Sequence, residues 1–161
     1  MKLSTAGHHA LRIMMDLALH SGEGPVLRQT ISERQQISTD YIAQLFRRLN
    51  RAGLIKSVMG PGGGYTLAHP AQDIRVGDVI RAIEGPVATS FCVEPSPAGH
   101  CMRKETCTLH NLWLELSKII DGFLNSYTLQ DLCDRSTTTL ETLILSPPLR
   151  CPQEEPIEVV H

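Results

Sequence analysis

The sequence of 161 residues predicts a mainly α-helical protein with a small β-hairpin wing: a winged helix-turn-helix domain followed by a long C-terminal dimerisation helix. Three observations predict this architecture. Two short helical patterns are joined by a tight polar turn, two strand patterns flank the glycine-rich segment 60–64, and a wide apolar stripe runs along 109–124. A helix-turn-helix that leads directly into a hairpin is the signature of a winged helix.

The first half of the chain contains three predicted helices. The first spans 4–20, the second spans 30–35, and the polar turn 36–39 leads into the third at 40–52, with Gly53 in the position of a C-cap glycine. The third helix has a single apolar stripe at helical spacing: Ile42, Leu45, Phe46 and Leu49. This pattern predicts that one face of the third helix is buried and that the opposite face is exposed.

The segment after Gly53 predicts a hairpin with strands at 54–58 and 65–67. The glycines between them lack the Lys-Ser/Thr pair of a phosphate-binding loop, and a strand follows them instead of a helix, so we interpret them as a wing tip. A short helix is predicted at 76–83. The predicted organisation is a winged helix-turn-helix domain at 1–84, a cysteine-rich loop at 85–108 (the cysteine loop), two helices within 109–133, and a disordered tail at 134–161.

Composition restricts the class of protein. The chain has 42% hydrophobic, 20% charged and 4% aromatic residues, which predicts a soluble globular protein with an aliphatic core and excludes collagen-like, disordered and disulfide-scaffold proteins. No apolar run approaches the roughly 18 residues of a membrane span, and the first residues do not form the apolar core of a signal peptide. We therefore expect a cytoplasmic protein. No catalytic triad, paired catalytic carboxylates or metalloprotease motif is present, so we predict that it is not an enzyme.

The charge distribution indicates a polyanionic partner. Residues 1–60 carry eight Lys and Arg against four Asp and Glu, whereas 61–161 carry seven against thirteen. A basic half that contains a helix-turn-helix predicts a double-stranded DNA operator as the partner, with the third helix in the major groove and the wing against the backbone. The candidate DNA-binding residues are Arg28, Ser38, Thr39, Asp40, Tyr41, Gln44, Arg47, Arg48, Arg51, Gly60, Gly62 and Gly63.

Three cysteines and a histidine lie within nineteen residues, in the order Cys92-x8-Cys101-x5-Cys107-x2-His110. Soft thiolate ligands in a reducing compartment favour an iron–sulfur cluster. The paired C-x2-C ligands of common structural zinc sites are missing, which makes zinc a weaker alternative. Unliganded cysteines that only pack remain the third interpretation.

The apolar stripe along 109–124 is too wide and too poor in opposing charge for a helix that lies alone on a surface. We therefore predict that another apolar surface covers it. The candidate interface residues are Leu109, Leu112, Trp113, Leu116, Ile120 and Phe123.

Five segments together resemble the Rrf-type winged-helix regulators, and within that family the iron–sulfur cluster regulators in particular. They are 1–4, 31–35, 41–46, 60–65 and 107–113. The resemblance implies a homodimer that holds a [2Fe-2S] cluster through Cys92, Cys101, Cys107 and His110, with cluster loss or oxidation changing the affinity for the operator. It also implies an arginine just before the wing that probes the minor groove. Met59 stands there, so we expect weaker minor-groove readout.

Three alternatives remain open from the sequence. The first is a nitric-oxide or redox sensor with a [4Fe-4S] cluster, in which His8 or His9 of the partner subunit supplies the fourth ligand. The second is a zinc-stabilised DNA-binding or interaction module. The third is a cluster-free switch in which Cys92, Cys101 or Cys107 form disulfides on oxidation.

Overall fold

The computed structural model of the chain describes residues 3–95, 101 and 103–137. In this part of the chain six α-helices accompany one antiparallel pair of strands: α1 (Thr5–Leu19), α2 (Arg28–Gln35), α3 (Thr39–Arg51), β1 (Ile55–Val58), β2 (Gly64–Leu67), α4 (Val76–Glu84), α5 (Thr108–Asn125) and α6 (Leu129–Thr137). The predicted mainly helical winged-helix fold is confirmed. Every helix in the described ranges is too short or too polar to cross a lipid bilayer.

The core is aliphatic, as the composition predicts. Helices α1 and α3 bury their apolar stripes in one core, in which α1 packs on α4 and β2 and α3 packs on α4 and β1. Leu129 of α6 is buried in the same core. Phe46 of α3 packs on Tyr65 of β2 with ring centroids 4.1 Å apart, which fixes the wing against the third helix. Burying one side chain such as Phe46 or Leu49 stabilises the fold by roughly 1.5–3 kcal/mol.

The turn between α2 and α3 determines how the third helix is presented. Gln36 caps the C-terminus of α2. It adopts a left-handed conformation with φ of 54° and donates its N–H to the carbonyl of Ser32. The Ser32 hydroxyl donates to the carbonyl of Ile37 at 2.7 Å, and the Ser38 hydroxyl caps the start of α3. Helices α2 and α3 begin two residues and one residue earlier than the sequence predicts, because residues outside the apolar stripes complete their first turns.

A polar seam holds α2 against α1. Asp16 of α1 is only 3% exposed, and its carboxylate accepts a hydrogen bond from the Gln35 amide at 2.8 Å and pairs with the Arg34 guanidinium at 3.1 Å. Arg12, one turn earlier, donates to both the side-chain oxygen and the carbonyl of Gln35 at 3.1 and 3.0 Å. The position of the helix-turn-helix on the core therefore depends on a charged group that the apolar pattern does not reveal.

Replacing Asp16 is expected to destabilise the fold. Asp16→Ala leaves the Arg34 charge and the Gln35 amide without their acceptor and should lower the free energy of unfolding by about 2–3 kcal/mol. Urea unfolding followed by circular dichroism measures this change. Glu33→Ala, on the exposed side of α2, serves as the control and should cost less than about 0.5 kcal/mol. Equal stability of the two variants would contradict the role assigned to Asp16.

The wing is a short hairpin with a tightly folded tip. Strands β1 and β2 pair from Ile55 opposite Leu67 to Val58 opposite Gly64, and Val26 exchanges both backbone hydrogen bonds with Tyr65 on the other side of β2. A Cβ atom at Gly63 would lie 2.3 Å from the carbonyl oxygen of Val58, so only glycine fits there.

Helices α5 and α6 complete the described chain. Helix α5 begins at Thr108, inside the predicted loop, and α6 packs against α1 through the buried residues Leu129 and Cys133. Backbone hydrogen bonds from Val76 to Tyr127 and from Leu129 to Ile74 fasten the α5–α6 turn to the start of α4. The prediction that the tail begins at residue 134 is wrong, because α6 continues to Thr137; the rest of the predicted tail, 138–161, lies outside the described residues.

Candidate nucleic-acid interface and metal centre

Helix α3 presents its polar side chains on the face opposite its buried stripe. Ser38, Asp40, Gln44, Arg47 and Arg51 are exposed along this face, and Thr39 and Tyr41 are half-buried at its start. The Ser38 hydroxyl accepts a hydrogen bond from the backbone N–H of Tyr41, so it is also occupied in capping the helix. The N-terminal turn, where a recognition helix contacts base edges, thus carries several short polar side chains.

Arg48 and Tyr41, which are both predicted to bind DNA, also contact other helices of the protein. A guanidinium nitrogen of Arg48 donates to the carbonyl of Ile83 at the end of α4. The Tyr41 ring meets the edge of the His9 ring of α1, with centroids 5.7 Å apart. Sequence spacing could not reveal either contact, because each partner lies more than thirty residues away.

His9 is half-buried behind the start of α3, and its Nδ1 atom has no hydrogen-bond partner. Burial, followed by the positive charge of Arg12 and the proximity of His8, lowers the pKa of His9 below its usual value. The neutral ring is therefore favoured at neutral pH. His8 is exposed on α1.

The wing tip is exposed and contains one large apolar side chain. Gly60 and Gly62 are exposed with φ of 102° and 75°, a backbone region that glycine adopts without strain, and Gly63 is half-buried beneath them. Met59 is 92% exposed at this tip. Arg28, at the start of α2, is exposed and lines a shallow groove together with Met59 and the wing glycines.

The exposure of Met59 leads to a prediction about DNA affinity. Met59→Arg should place a cation at the wing tip, where it can approach a narrow minor groove or a phosphate, and should steepen the dependence of log K on log salt by about 0.9. Titrating a fluorescent duplex with protein at several salt concentrations measures this slope. Leu19→Arg, at an exposed position near the end of α1, is the matched control for added charge. An unchanged slope for Met59→Arg would show that the wing tip does not reach DNA.

The four candidate ligands are divided between the cysteine loop and the start of α5. Cys92 is in the short 3₁₀ turn Phe91–Val93, which packs against α5. Cys101 follows in the loop, Cys107 is the N-cap residue of α5, and His110 is in its first turn. The three thiols are half-buried, and His110 is 6% exposed. The Cys92 thiol lies 3.6 Å from the Ser90 hydroxyl.

The donor atoms of these four residues suit an iron–sulfur cluster. Nδ1 of His110 is buried and has no hydrogen-bond partner, which is costly for a ring nitrogen unless it is used as a ligand. Three thiols and one imidazole are the donors that iron–sulfur clusters use. Within the described residues, however, no three His, Cys, Asp or Glu side chains are close enough together to hold a metal ion. The donor set therefore fits a cluster, although the structure does not gather the four donors at one point.

The cysteine loop is fastened to α5 beyond the ligands. The backbone N–H of Thr89 donates to the hydroxyl of Ser117 at 3.1 Å, and the Thr89 hydroxyl donates to the carbonyl of Trp113 at 3.0 Å. Ser117 is buried on α5, one of the two buried residues on that helix in the described chain. The other is His110, so the face of α5 that the protein covers runs from His110 to Ser117.

The remaining cysteines lie elsewhere. Cys133 is buried, and burial, followed by the nearby Asp134 charge, raises the pKa of its thiol. A raised pKa disfavours the thiolate form that metals and electrophiles require. Cys151 lies outside the described residues.

The apolar side chains of α5 are largely uncovered. Leu109, Leu112, Leu116 and Phe123 are exposed, and Trp113 and Ile120 are half-buried. The most exposed large apolar residue on this helix is Ile119, at 67%, which the list of candidate interface residues omitted. The apolar stripe covers more than one face of α5, so spacing alone could not decide which side the monomer buries.

Comparisons with known proteins assign the family. Residues 3–135 match the family Rrf2, "Iron-dependent Transcriptional regulator". The chain is 48% identical over 132 residues to the HTH-type transcriptional regulator IscR of Photobacterium profundum, covering 82% of this chain and 75% of that protein, and 46% identical to IscR of Escherichia coli O1:K1, covering 82% and 80%.

Solved structures agree with this assignment. IscR of T. potens is 37% identical, with a TM-score of 0.67 over 89% of this chain and 96% of that one. The global cysteine regulator CymR of B. subtilis is 35% identical, with a TM-score of 0.67 over 84% and 98%. The resemblance inferred from the motifs is confirmed, as is the prediction that the protein is not an enzyme. The chain belongs to the Rrf2 family of DNA-binding transcriptional regulators.

Proposed function

We propose that this regulator acts as a homodimer in the cytoplasm and that an iron–sulfur cluster, most simply [2Fe-2S], controls its binding to a specific operator. The proposed ligands are Cys92, Cys101, Cys107 and His110. The observation that carries the proposal is the buried, unpartnered Nδ1 of His110, one helical turn after Cys107. A histidine that only packed in this place would normally satisfy both ring nitrogens.

The chain supplies the binding and the positioning. Cys107 and His110 lie on the first turn of α5, whose orientation is fixed by its contacts with α4, whereas Cys92 and Cys101 approach from the cysteine loop. A bound cluster would join the cysteine loop to α5, and its presence would depend on iron supply and oxidants. Without a cluster, the cysteine loop would no longer be joined to α5 through Cys92 and Cys101, and we propose that this difference alters the DNA-binding half.

The uncovered side of α5 supports the dimer. Its exposed leucines, Ile119 and Phe123 form an apolar patch along a helix of 18 residues, and patches of this kind mark interaction surfaces. A second copy of the same helix offers the complementary apolar surface, as a two-fold interface requires. Two copies also present two α3 helices, which matches recognition of paired half-sites.

Metal analysis of protein purified without air tests this proposal. About two irons and two acid-labile sulfides per chain, with visible absorption typical of a cluster, are expected for a [2Fe-2S] centre. About four irons per chain would support the [4Fe-4S] alternative instead, and stoichiometric zinc would support the zinc-stabilised module. A colourless, iron-free protein that also fails anaerobic reconstitution would overturn the proposal.

A further inference from the structure

The last turn of α4, residues 81–84, contacts three other helices through three of its four residues. We call this turn the α4 junction. Arg81 bonds to α5, the carbonyl of Ile83 accepts from α3, and Glu84 accepts from the start of α1. The cysteine loop begins at the next residue, Gly85.

The contact with α5 is ionic and well defined. Arg81 lies 2.6 Å from the carboxylate of Asp121 and 2.9 Å from the side-chain oxygen of Asn125, and its second pairing is with Asp78 of its own helix at 2.6 Å. The Asn125 amide in turn donates to Asp121 at 2.8 Å. Burial alone would lower the pKa of Arg81, but the hydrogen bonds to Asp78 and Asp121 outweigh it and raise the pKa, so the charge is held.

The contact with α3 reaches the DNA-reading helix directly. Arg48 lies on the third turn of α3, and its guanidinium donates to the Ile83 carbonyl, one of the carbonyls that a helix leaves unpaired at its C-terminus. A cation at a helix C-terminus is also favoured by the helix dipole. The α4 junction therefore restrains the orientation of α3 through a charged contact.

The third contact fixes the start of α1. The backbone N–H and the hydroxyl of Ser4 both donate to the Glu84 carboxylate, at 3.0 and 2.9 Å. The same Ser4 hydroxyl accepts from the N–H of Gly7 and caps α1. The α4 junction therefore also holds the start of α1 in place.

The first residues of the cysteine loop are bonded both to α4 and to α5, which restricts their movement. Gly85 donates its N–H to the carbonyl of Arg81 and turns the chain with φ of 85°. Only four residues later, Thr89 is hydrogen-bonded to Ser117 of α5. The segment between Cys92 and the α4 junction is therefore short and is bonded to α4 at Gly85 and to α5 at Thr89. A rearrangement at Cys92 is transmitted to the α4 junction through this segment.

We propose that the α4 junction couples the cysteine loop to the orientation of α3, with Arg81 and Arg48 as positioning residues. This inference rests on the proposed function and adds the route by which cluster state changes DNA affinity. A shift of α5 or of the loop changes the Arg81–Asp121 pair and thereby moves the last turn of α4. Because the Ile83 carbonyl on this turn is bonded to Arg48, helix α3 is displaced as well. The energy involved is that of one or two charge-assisted hydrogen bonds, enough for a coupling of about 5- to 150-fold in affinity.

The test compares cluster-loaded and cluster-free protein on one DNA probe, a duplex selected by the wild-type protein from a random-sequence library. The measured quantity is the ratio of the two dissociation constants. Asp121→Asn removes the charge opposite Arg81, and Arg81→Lys keeps the charge but loses the double pairing; both lie outside the proposed DNA interface and the ligand set. Each is expected to retain iron and to reduce the ratio at least about fivefold.

A structural control separates coupling from simple destabilisation. Arg34→Ala weakens the α1–α2 seam without touching the α4 junction and should leave the ratio unchanged. A wild-type ratio well above one that Asp121→Asn and Arg81→Lys leave intact would overturn the coupling route alone. A wild-type ratio of one would overturn the proposed function, and the coupling with it.

Hydrogen exchange on the wild-type protein keeps the test independent of how the variants fold. Cluster removal is expected to change the protection of amides in residues 81–84 and in α3 together. A change confined to the cysteine loop and the first turn of α5 would overturn the proposed route.

Discussion

Ile119→Glu is expected to convert the proposed homodimer into a monomer and to weaken operator binding at least about 100-fold. Ile119 is the most exposed large apolar side chain on α5, and a carboxylate there would be buried without a partner in the dimer. A monomer loses the second recognition helix, and linked binding of two half-sites commonly contributes a factor of about 10²–10⁴ in affinity. Light scattering and a duplex titration measure the two effects.

Lys118→Ala is the matched control, because it alters a neighbouring exposed residue of α5 without adding charge to the apolar patch. It should remain dimeric and bind DNA within about twofold of wild type, since isolated surface substitutions have small effects. An Ile119→Glu variant that stayed dimeric would move the interface away from this side of α5. A monomer with unchanged DNA affinity would contradict the link between dimerisation and operator binding.

His110→Ala is expected to remove the cluster almost entirely. The proposed site would lose its only nitrogen ligand. Iron per chain after anaerobic reconstitution should therefore fall below about a tenth of the wild-type value, because even the loss of a ligand's hydrogen-bond partner costs about 10- to 100-fold in metal affinity. The cluster-free variant should lose little stability, because the substitution also removes a buried ring nitrogen that has no partner. Iron analysis and thermal unfolding of the cluster-free proteins measure both effects.

His8→Ala and His9→Ala are the controls for this prediction. On the [2Fe-2S] proposal both variants keep wild-type iron, because neither histidine is a ligand. If His110→Ala retained its iron and either α1 variant lost it, the [4Fe-4S] alternative with a ligand from the partner's first helix would replace the proposal. The packing of His9 on Tyr41 makes His8→Ala the cleaner of the two, since loss of His9 also disturbs the start of α3.

Much of the fold could be predicted because its signals are local. The apolar stripes of α1 and α3, the glycine tip of the wing and the polar turn before Ser38 all depend on short-range spacing, and the structure places these elements within two residues of prediction. The end of α6 was misjudged because polar residues such as Ser136 and Thr137 carry no apolar period, although they extend the helix.

The parts that sequence could not supply are long-range polar contacts. The donation from Arg48 to the Ile83 carbonyl uses a backbone group, which no side-chain pattern records, and the Arg81–Asp121 pair joins residues forty positions apart. The omission of Ile119 has a related cause: the monomer buries His110 and Ser117 on α5, and only the packing of the loop reveals which side that leaves open.

The candidate metal centre could be predicted from the sequence only in part. The spacing of Cys107 and His110 on one helical turn follows from sequence, and the structure adds that the histidine is buried with an unused nitrogen. Gathering Cys92 and Cys101 onto the same point depends on the path of a loop that no periodic signal describes. The ligand set therefore remains a proposal founded on donor chemistry.

The most direct test of the account is the affinity of wild-type protein for one selected duplex, measured without air before and after the cluster is removed by a chelator. We expect the dissociation constants of the two forms to differ at least about tenfold while both forms are equally dimeric and equally folded, a coupling within the usual range for linked sites. Identical affinities of the fully loaded and cluster-free protein would contradict the claim that a cluster controls DNA binding.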